Sequence, residues 1–262
     1  MDHKQCTLLL IFVRIVIFPG KVQTGLFCGN RAIMKKLVVL TGSGISAESG
    51  LKTFRDTGGL WENYDVMEVA SINAWNANKE LVLRFYNERR AQLKDAIPNA
   101  GHTGLVELEE FFDVEIITQN IDDLHERAGS RNVLHLHGEL TKARSTGDEN
   151  LVYDIGYRDI TLSDTCEKGF QLRPHIVWFG EPVPAIEKAA QLTSKANVFA
   201  VIGTSMVVYP AAGLIDYVPG QAPIYLIDPK EVRMPHYRHV EVIRENAGKG
   251  VSILKERLRK IK

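Results

Sequence analysis

Cysteine is scarce in this chain. Cys6, Cys28 and Cys166 are the three in 262 residues, too few and too scattered for a disulfide framework. A reducing cytoplasm is therefore the expected compartment. Net charge is lacking too. Lys+Arg and Asp+Glu both total 32, so the chain carries no electrostatic footprint for direct nucleic-acid binding or for an anionic membrane. A long apolar run is also missing. Residues 8–18 form an apolar stretch broken by Arg14, shorter than the roughly 18 residues a membrane span requires. No repeat and no low-complexity tract is visible. With 45% hydrophobic and 24% charged residues, the composition is that of a folded globular protein, which excludes disorder, collagen and a coiled coil. The length fits one large domain, or one domain with a smaller insertion.

Residues 1–33 differ from the rest. Lys4 ahead of an apolar run suggests a signal peptide or anchor, but Arg14 interrupts the run and no clear small-x-small cleavage site follows. A structured arm is another reading. The favoured expectation is an extension upstream of a start at Met34, because Met34-Lys35-Lys36 leads directly into an apolar strand.

From there, short apolar runs alternate with helical patterns. Residues 37–40, 114–118, 198–202 and 224–227 read as buried strands rich in Val and Ile. Helices are expected near 79–97, 102–111, 185–196 and 249–260. Such alternation predicts an α/β fold: a Rossmann-like parallel sheet with helices on both faces. Residues 144–170 hold two turn-rich patches without a long core element beside them, and are expected to belong to a smaller inserted domain.

Four motifs carry chemistry. The first is Thr41-Gly42-Ser43-Gly44-Ile45-Ser46-Ala47-Glu48-Ser49-Gly50, directly after a predicted strand. Gly42, Gly44 and Ala47 match the G-x-G-x-x-[GA] dinucleotide pattern, in which glycines let a pyrophosphate approach the backbone. A plain strand-to-helix turn favours glycine equally. The acid usually found about 20 residues later is not evident. Asp228, ending the strand 224–227, serves the same ribose role from the other half of the sheet or is a turn residue before Pro229.

The second motif, Thr118-Gln119-Asn120-Ile121-Asp122-Asp123-Leu124-His125, follows a predicted strand end, where open α/β sheets bind ligands. It reads as a helix cap or as a polar cluster gripping an amide ligand. The third is His135-Leu136-His137-Gly138-Glu139. Alternation puts both histidines on one face, but no third metal ligand has suitable spacing, and a single general base at His137 fits as well. A structural histidine remains the bland alternative. The fourth, Gly203-Thr204-Ser205 after the strand 198–202, is a phosphate or ribose contact or a helix cap.

Taken in this order, Gly-Ser-Gly-Ile-Ser-Ala-Glu-Ser-Gly-(x)3-Phe-Arg, Thr-Gln-Asn-Ile-Asp, His-Gly-Glu and Gly-Thr-Ser closely resemble the sirtuins, the NAD-dependent protein lysine deacylases. The resemblance runs from about Lys35 to the C-terminus. It implies a catalytic domain over 34–262, with a large NAD-binding part (about 34–52, 101–140 and 175–262) and a small part (about 53–100 and 141–174). It implies that Gly42, Ser43, Gly44, Ser46 and Glu48 hold the NAD pyrophosphate, and that Thr53, Phe54 and Arg55 form a flexible cofactor loop. It places Gln119, Asn120 and Asp122 at the nicotinamide ribose, with Asn120 and His137 catalytic and His137 the general base. Gly203, Thr204, Ser205, Asp228 and Ala247 would surround the adenosine half. The segment Val177-Trp178-Phe179-Gly180-Glu181 resembles the one that pairs with the acylated protein substrate as an added strand, with Val177, Phe179, Gly180 and Glu181 as its substrate-binding residues. In the implied chemistry the acyl oxygen displaces nicotinamide from a cation-like sugar. His137 then takes a ribose hydroxyl proton, and free lysine and O-acyl-ADP-ribose result. Water exclusion matters because water at the sugar gives NAD hydrolysis instead.

The chain departs from the family pattern in three places. Ser43 stands where Ala is usual, and Asp228 where Asn is usual. Most sirtuins also hold a structural zinc with two cysteine pairs in the region matching 144–170. Only Cys166 stands there, and no histidine lies between His137 and His175, so a structural zinc is not expected.

The predicted helix 79–94 carries an anomaly. At 100° per residue, Val82, Phe85, Tyr86, Arg89 and Leu93 share one stripe, with Arg89 near its centre and Arg84 and Glu88 on the opposite face. A buried arginine needs an anion or an ion-pair partner, or snorkels. Tyr86-x-x-Arg89, with Phe85 before and Arg90 after, resembles the class III sirtuin signature that binds the carboxylate of succinyl- or malonyl-lysine, as in the bacterial members.

Rival readings remain open. An NAD(P) oxidoreductase would need a hydride-transfer acid such as a Tyr-x-x-x-Lys pair, and none is well placed. A mono-ADP-ribosyltransferase would use the same residues with another nucleophile. A non-catalytic ADP-ribose-binding module would not require His137, Asn120 and Asp122 together.

Overall fold

The computed structural model describes residues 34–52, 64–232 and 239–260, and the backbone at Ile17–Phe18 and Lys21–Val22. Met1–Met34 and Lys35–Lys262 separate into two units. Within the first, β1 (Ile17–Phe18) and β2 (Lys21–Val22) pair antiparallel.

The second unit runs β3 (Lys36–Thr41), α1 (Val66–Val69), α2 (Ile72–Ala77), α3 (Lys79–Asp95), α4 (Ala100–Leu108), β4 (Asp113–Thr118), α5 (Leu124–Ala128) and β5 (Val133–His135). It continues through β6 (Gly138–Ser145), β7 (Val152–Asp154), β8 (Leu172–Ile176), α6 (Ile186–Thr193), β9 (Val198–Ile202), β10 (Ile224–Ile227), β11 (Val240–Ile243) and α7 (Ala247–Leu258). Six strands form one parallel sheet in the order β11-β10-β9-β3-β4-β5. Continuous apolar runs such as Val198–Ile202 are what a sheet covered on both faces requires, and all five residues of β9 are buried. Successive side chains alternate between faces. Leu37, Val39, Ile116, Ala200 and Ile227 pack against Leu105 and Leu108 of α4 and Val251 and Leu254 of α7. Val38, Leu40, Ile117, Phe199 and Leu226 pack on the other side with Ala189 of α6 and with Leu214 and Ile215. The four predicted strands and four predicted helices are all present. α4 starts two residues earlier than expected because Asn99 and His102 form a capping box.

β6, β7 and β8 make a separate antiparallel sheet in the order β7-β6-β8. It shares a core with α1, α2 and α3, built from Val69, Trp75, Phe85, Tyr86, Leu140, Leu172 and Trp178. Among the described residues, no helix is long and apolar enough to cross a membrane.

The register of the large sheet decides where the site lies. Ile243, Ile227, Ile202, Thr41, Thr118 and His135 stand in one row across the six strands. The chain passes from β3 to β4 on one side, while β9 flanks β3 on the other. A ligand crevice is expected outside the carboxyl ends of strands at such a switch point.

Candidate active site

A cleft of about 690 Å³ opens just beyond that row. The residues that follow the row on four strands, Gly42, Gln119, Gly203 and Asp228, all line it. From Asp228, after β10, to His137, after β5, the wall crosses four strand spacings, about 19 Å. Asn246 and Ala247, at the N-terminus of α7, also line it, and a helix N-terminus favours negative charge.

The glycines have a reason of their own. Gly42 N–H donates to Ile202 O at 3.0 Å and Gly44 N–H to Gly203 O at 2.8 Å. The turns after β3 and β9 therefore touch. A Cβ on Gly44 would lie 2.6 Å from Gly203 Cα, and Gly203 has φ +62, a left-handed conformation suited to glycine. Ser43 and Ser46 line the cleft beside them. Glu48 does not line it. Its carboxylate instead accepts the Gly248 N–H at 2.8 Å, holding the first turn of α7. Glu48, expected at the pyrophosphate, thus holds the helix start whose residues Asn246 and Ala247 line the cleft.

Asn120, Ser46 and Asp122 form a buried bonded set. Asn120 Nδ2 donates to Ser46 Oγ at 3.1 Å, and Ser46 Oγ donates to Asp122 Oδ2 at 2.9 Å. Asp122 Oδ1 also accepts the Leu124 N–H at 3.2 Å, so its carboxylate joins the polar cluster to the start of α5. Burial raises the Asp122 pKa, against these bonds. Gln119 Nε2 donates to Thr204 Oγ1 at 3.0 Å, tying the ends of β4 and β9 together.

His137 Nδ1 lies 3.0 Å from the Gln119 carbonyl oxygen. A carbonyl only accepts, so Nδ1 carries the proton and Nε2 is the basic nitrogen. Burial lowers the His137 pKa, with the Gln119 bond opposing, which keeps the imidazole neutral near pH 7. His135, two residues earlier, was not among the expected site residues, yet it meets the next main-chain carbonyl in the same way. Its Nδ1 meets Asn120 O at 3.0 Å and its Nε2 meets Glu126 at 2.8 Å. Burial opposes its protonation, but Glu126, the Asn120 carbonyl and Glu139 together outweigh it and the net shift is upward. The sequence signal was the shared face of His135 and His137.

Thr204, Ser205, Asp228 and Ala247 all line the cleft. Asp228 Oδ1 accepts the Lys230 N–H at 2.8 Å, as a turn residue does, and burial raises its pKa. Asp228 is thus a turn residue that also stands on the cleft wall. Thr53, Phe54 and Arg55 lie outside the described residues.

Tyr86, Arg89, Val177, Phe179, Gly180 and Glu181 also line the cleft. Phe179 N–H donates to Ala70 O, and Phe179 O accepts from Ile72 N–H, so its main chain is already paired. The Glu181 carboxylate faces a clamp: Arg173 at 2.6 Å, Arg144 at 3.2 Å and the Trp178 N–H at 2.8 Å. On α3 the most enclosed arginine is Arg90, at 0% exposure. Its Nε donates to Leu140 O at 2.9 Å and its Nη1 to Asn87 Oδ1 at 2.6 Å. Arg89 is half-buried, lies over the Phe85 ring at 5.6 Å and reaches the cleft. The single-stripe picture of this helix is thus corrected: α3 is covered on two sides, and its neighbouring Arg89 and Arg90 take different surroundings.

Among the described residues, no group of three or more His, Cys, Asp or Glu stands together to hold a metal ion. The loop around Cys166 is tied by hydrogen bonds instead: Cys166 N–H to Phe170 O at 2.8 Å, Leu172 N–H to Asp164 O at 2.8 Å, and Gln171 Nε2 to Thr161 O at 2.9 Å.

The Sir2 family model matches residues 42–210. The chain belongs to the Sir2 family. An NAD-dependent protein deacylase of Bacteroides thetaiotaomicron is 52% identical over 233 residues, which are 86% of this chain and 98% of that protein. A mutant Sir2 homologue solved with ADP-ribose superposes with a TM-score of 0.79 at 40% identity, over 87% of this chain and 93% of that one. A Sir2 homologue solved with NAD gives 0.78 at 39% identity, over 87% and 91%. The parallel sheet with its smaller antiparallel companion is the fold expected from the sequence.

Proposed function

We propose that this Sir2-family protein removes acyl groups from protein lysines at the expense of NAD, and prefers the acidic succinyl and malonyl groups over acetyl. The carrying observation is the placement of His137. It is a neutral, oriented imidazole in a cleft at the carboxyl row of the sheet that Asn120, Tyr86 and Arg89 also line.

The cleft fits NAD: it crosses the switch point and meets the N-terminus of α7, and glycine turns form its floor. Bound NAD supplies the electrophilic ribose carbon and the ADP-ribose that carries the acyl group away. Gly42, Ser43 and Gly44 form the floor, and Gly203, Thr204, Ser205, Asp228 and Ala247 hold the adenosine side. Ser46 and Asp122 fix the Asn120 amide at the reacting sugar. His137 takes a proton at Nε2 from a ribose hydroxyl. Enclosure by Ile121, Trp178 and Phe179 keeps water from competing. Val177 and Gly180 meet the substrate peptide at the mouth. Tyr86 and Arg89, one helical turn apart, receive the acyl carboxylate. The separate core of the small sheet and α1 to α3 supports a small part beside a large NAD-binding part. A cytoplasmic site of action belongs to the same reading.

The test is to incubate the protein with NAD and matched succinyl-, malonyl- and acetyl-lysine peptides and weigh the products. Free lysine with an O-acyl-ADP-ribose is the expected result, fastest with the acidic groups. ADP-ribosylated peptide, or unchanged NAD, would replace this reading with a transferase or a binding module.

A further inference from the structure

The proposed acyl pocket is held from behind by a chain of contacts ending on Glu181. Trp178 is 2% exposed, and its indole Nε1–H donates to the Tyr86 oxygen at 2.9 Å. The indole is clamped in place. The Arg173 guanidinium carbon lies 3.4 Å from its ring centroid, and the Trp75 ring is 5.5 Å away. Arg173 donates to both Glu181 oxygens, at 2.6 and 2.9 Å, and to Ile176 O at 3.0 Å. Glu181 closes the loop by accepting the Trp178 backbone N–H at 2.8 Å.

A phenol hydroxyl has one proton and two lone pairs, whereas an indole N–H only donates. The clamped indole therefore fixes which side of the Tyr86 oxygen accepts, and leaves the Tyr86 proton to be donated elsewhere. Tyr86 and Arg89 both line the cleft. We propose that Trp178 is a specificity-determining positioning residue for acidic acyl groups: oriented by Arg173 and Glu181, its N–H sets the Tyr86 hydroxyl as a donor toward the carboxylate that Arg89 holds. The inference rests on the acyl preference proposed above. An accepted hydrogen bond also polarises the hydroxyl, because bonds in a chain strengthen one another. An acetyl group carries no carboxylate, so it gains nothing from this arrangement. If Trp178 served packing alone, acetyl and succinyl substrates would feel its loss alike.

The experiment measures kcat and KM for matched succinyl- and acetyl-lysine peptides with Trp178→Phe, Tyr86→Phe and the double variant. Trp178→Phe keeps an aromatic ring and removes the N–H. The succinyl-to-acetyl ratio of kcat/KM should fall about three- to tenfold, the effect of one hydrogen bond, mainly through the succinyl KM. In the Tyr86→Phe background the ratio should fall no further, because the hydroxyl through which Trp178 acts is gone. Replacing Trp178 with 3-benzothienylalanine, which has the indole shape without the N–H, should give the same fall even where the Phe variant fails to fold. An unchanged ratio, or a full additional fall on top of Tyr86→Phe, overturns the relay. Arg89→Met separates the two ideas. Equal loss of both activities there removes the acyl preference and the relay with it. Selective loss there with no selectivity in Trp178→Phe removes the relay alone.

Discussion

Two histidines beneath the site make the fold sensitive to acid. His102 and His125 are both fully buried, with ring centroids 4.9 Å apart. His125 Nε2 meets Thr41 Oγ1 at 3.1 Å, at the last residue before the glycine turn. His102 Nδ1 accepts the Asn99 N–H at 3.3 Å in the α4 capping box. Burial pushes the His102 pKa down to about 4, with Glu126 opposing weakly. Burial, and then the charges of His102 and His125's other neighbour His135, push His125 well below its ordinary value. An unfolded histidine titrates near 6.5, so below that pH the unfolded chain binds more protons than the folded one. The stability from a neutral His102 is thus complete above about pH 6.5 and is lost as the pH falls toward 4. Over that interval the loss from His102 alone is about 3 kcal/mol. Urea midpoints between pH 7.5 and 4.5 should therefore drop steeply. His102→Gln preserves the capping box, since Gln serves at the same position, and removes the titrating group. Its midpoint should depend on pH less steeply than that of the natural protein. Parallel curves for the two would refute the assignment of acid sensitivity to this pair.

Other outcomes follow from the site. His137→Ala should abolish deacylation while NAD binding, followed by calorimetry, is largely retained; the natural enzyme's kcat should hold down to pH 6.5 and fall only below it, because the His137 pKa is lowered. Arg89→Met should cut desuccinylation about ten- to a hundredfold, the effect of a charge-assisted hydrogen bond, and leave deacetylation intact or improved in peptide assays. Elemental analysis should find under one equivalent of zinc, and chelators should leave the thermal midpoint unmoved, since hydrogen bonds tie the Cys166 loop. A chain beginning at Met34 should fold and act, because Lys35–Lys262 forms a compact unit; insolubility of that chain beside a soluble full-length protein would count against it.

The site's plan was legible because its motifs sit at strand ends. A strand buried on both faces writes a continuous apolar run, so 198–202 and 224–227 could be bounded to the residue. The glycines and amides that follow such runs are then fixed at the carboxyl edge. Short peripheral strands write no such signal. β7 has three residues, two of them exposed, and β6 mixes charged with apolar residues, half-buried and buried positions following one another without a period of two because its pairing with β8 shifts register between Glu139 and Ala143.

Charged residues were the hardest to read, and for one physical reason: the role of a charge depends on partners that sequence distance conceals. Glu48 lies inside the glycine motif, but its partner is 200 residues away at Gly248. Glu181 lies inside the peptide-pairing segment, but it anchors Arg173 and Arg144. A helical wheel singled out Arg89, while Arg90 is the more deeply enclosed because Leu140 and Asn87 meet it from the small sheet and the previous turn. A motif thus locates the chemistry without assigning every member to it. Residues that touch the ligand need exposure to the cleft, and those that brace them need burial. Burial of a carboxylate requires donors, so counting the donors around each acid separates the two groups. By that count Glu181, met by Arg173, Arg144 and the Trp178 N–H, is a bracing residue. Asp122 and Glu181 join both groups: Ser46 and Leu124 meet Asp122, Arg173 and Arg144 meet Glu181, and both acids still stand on the cleft wall.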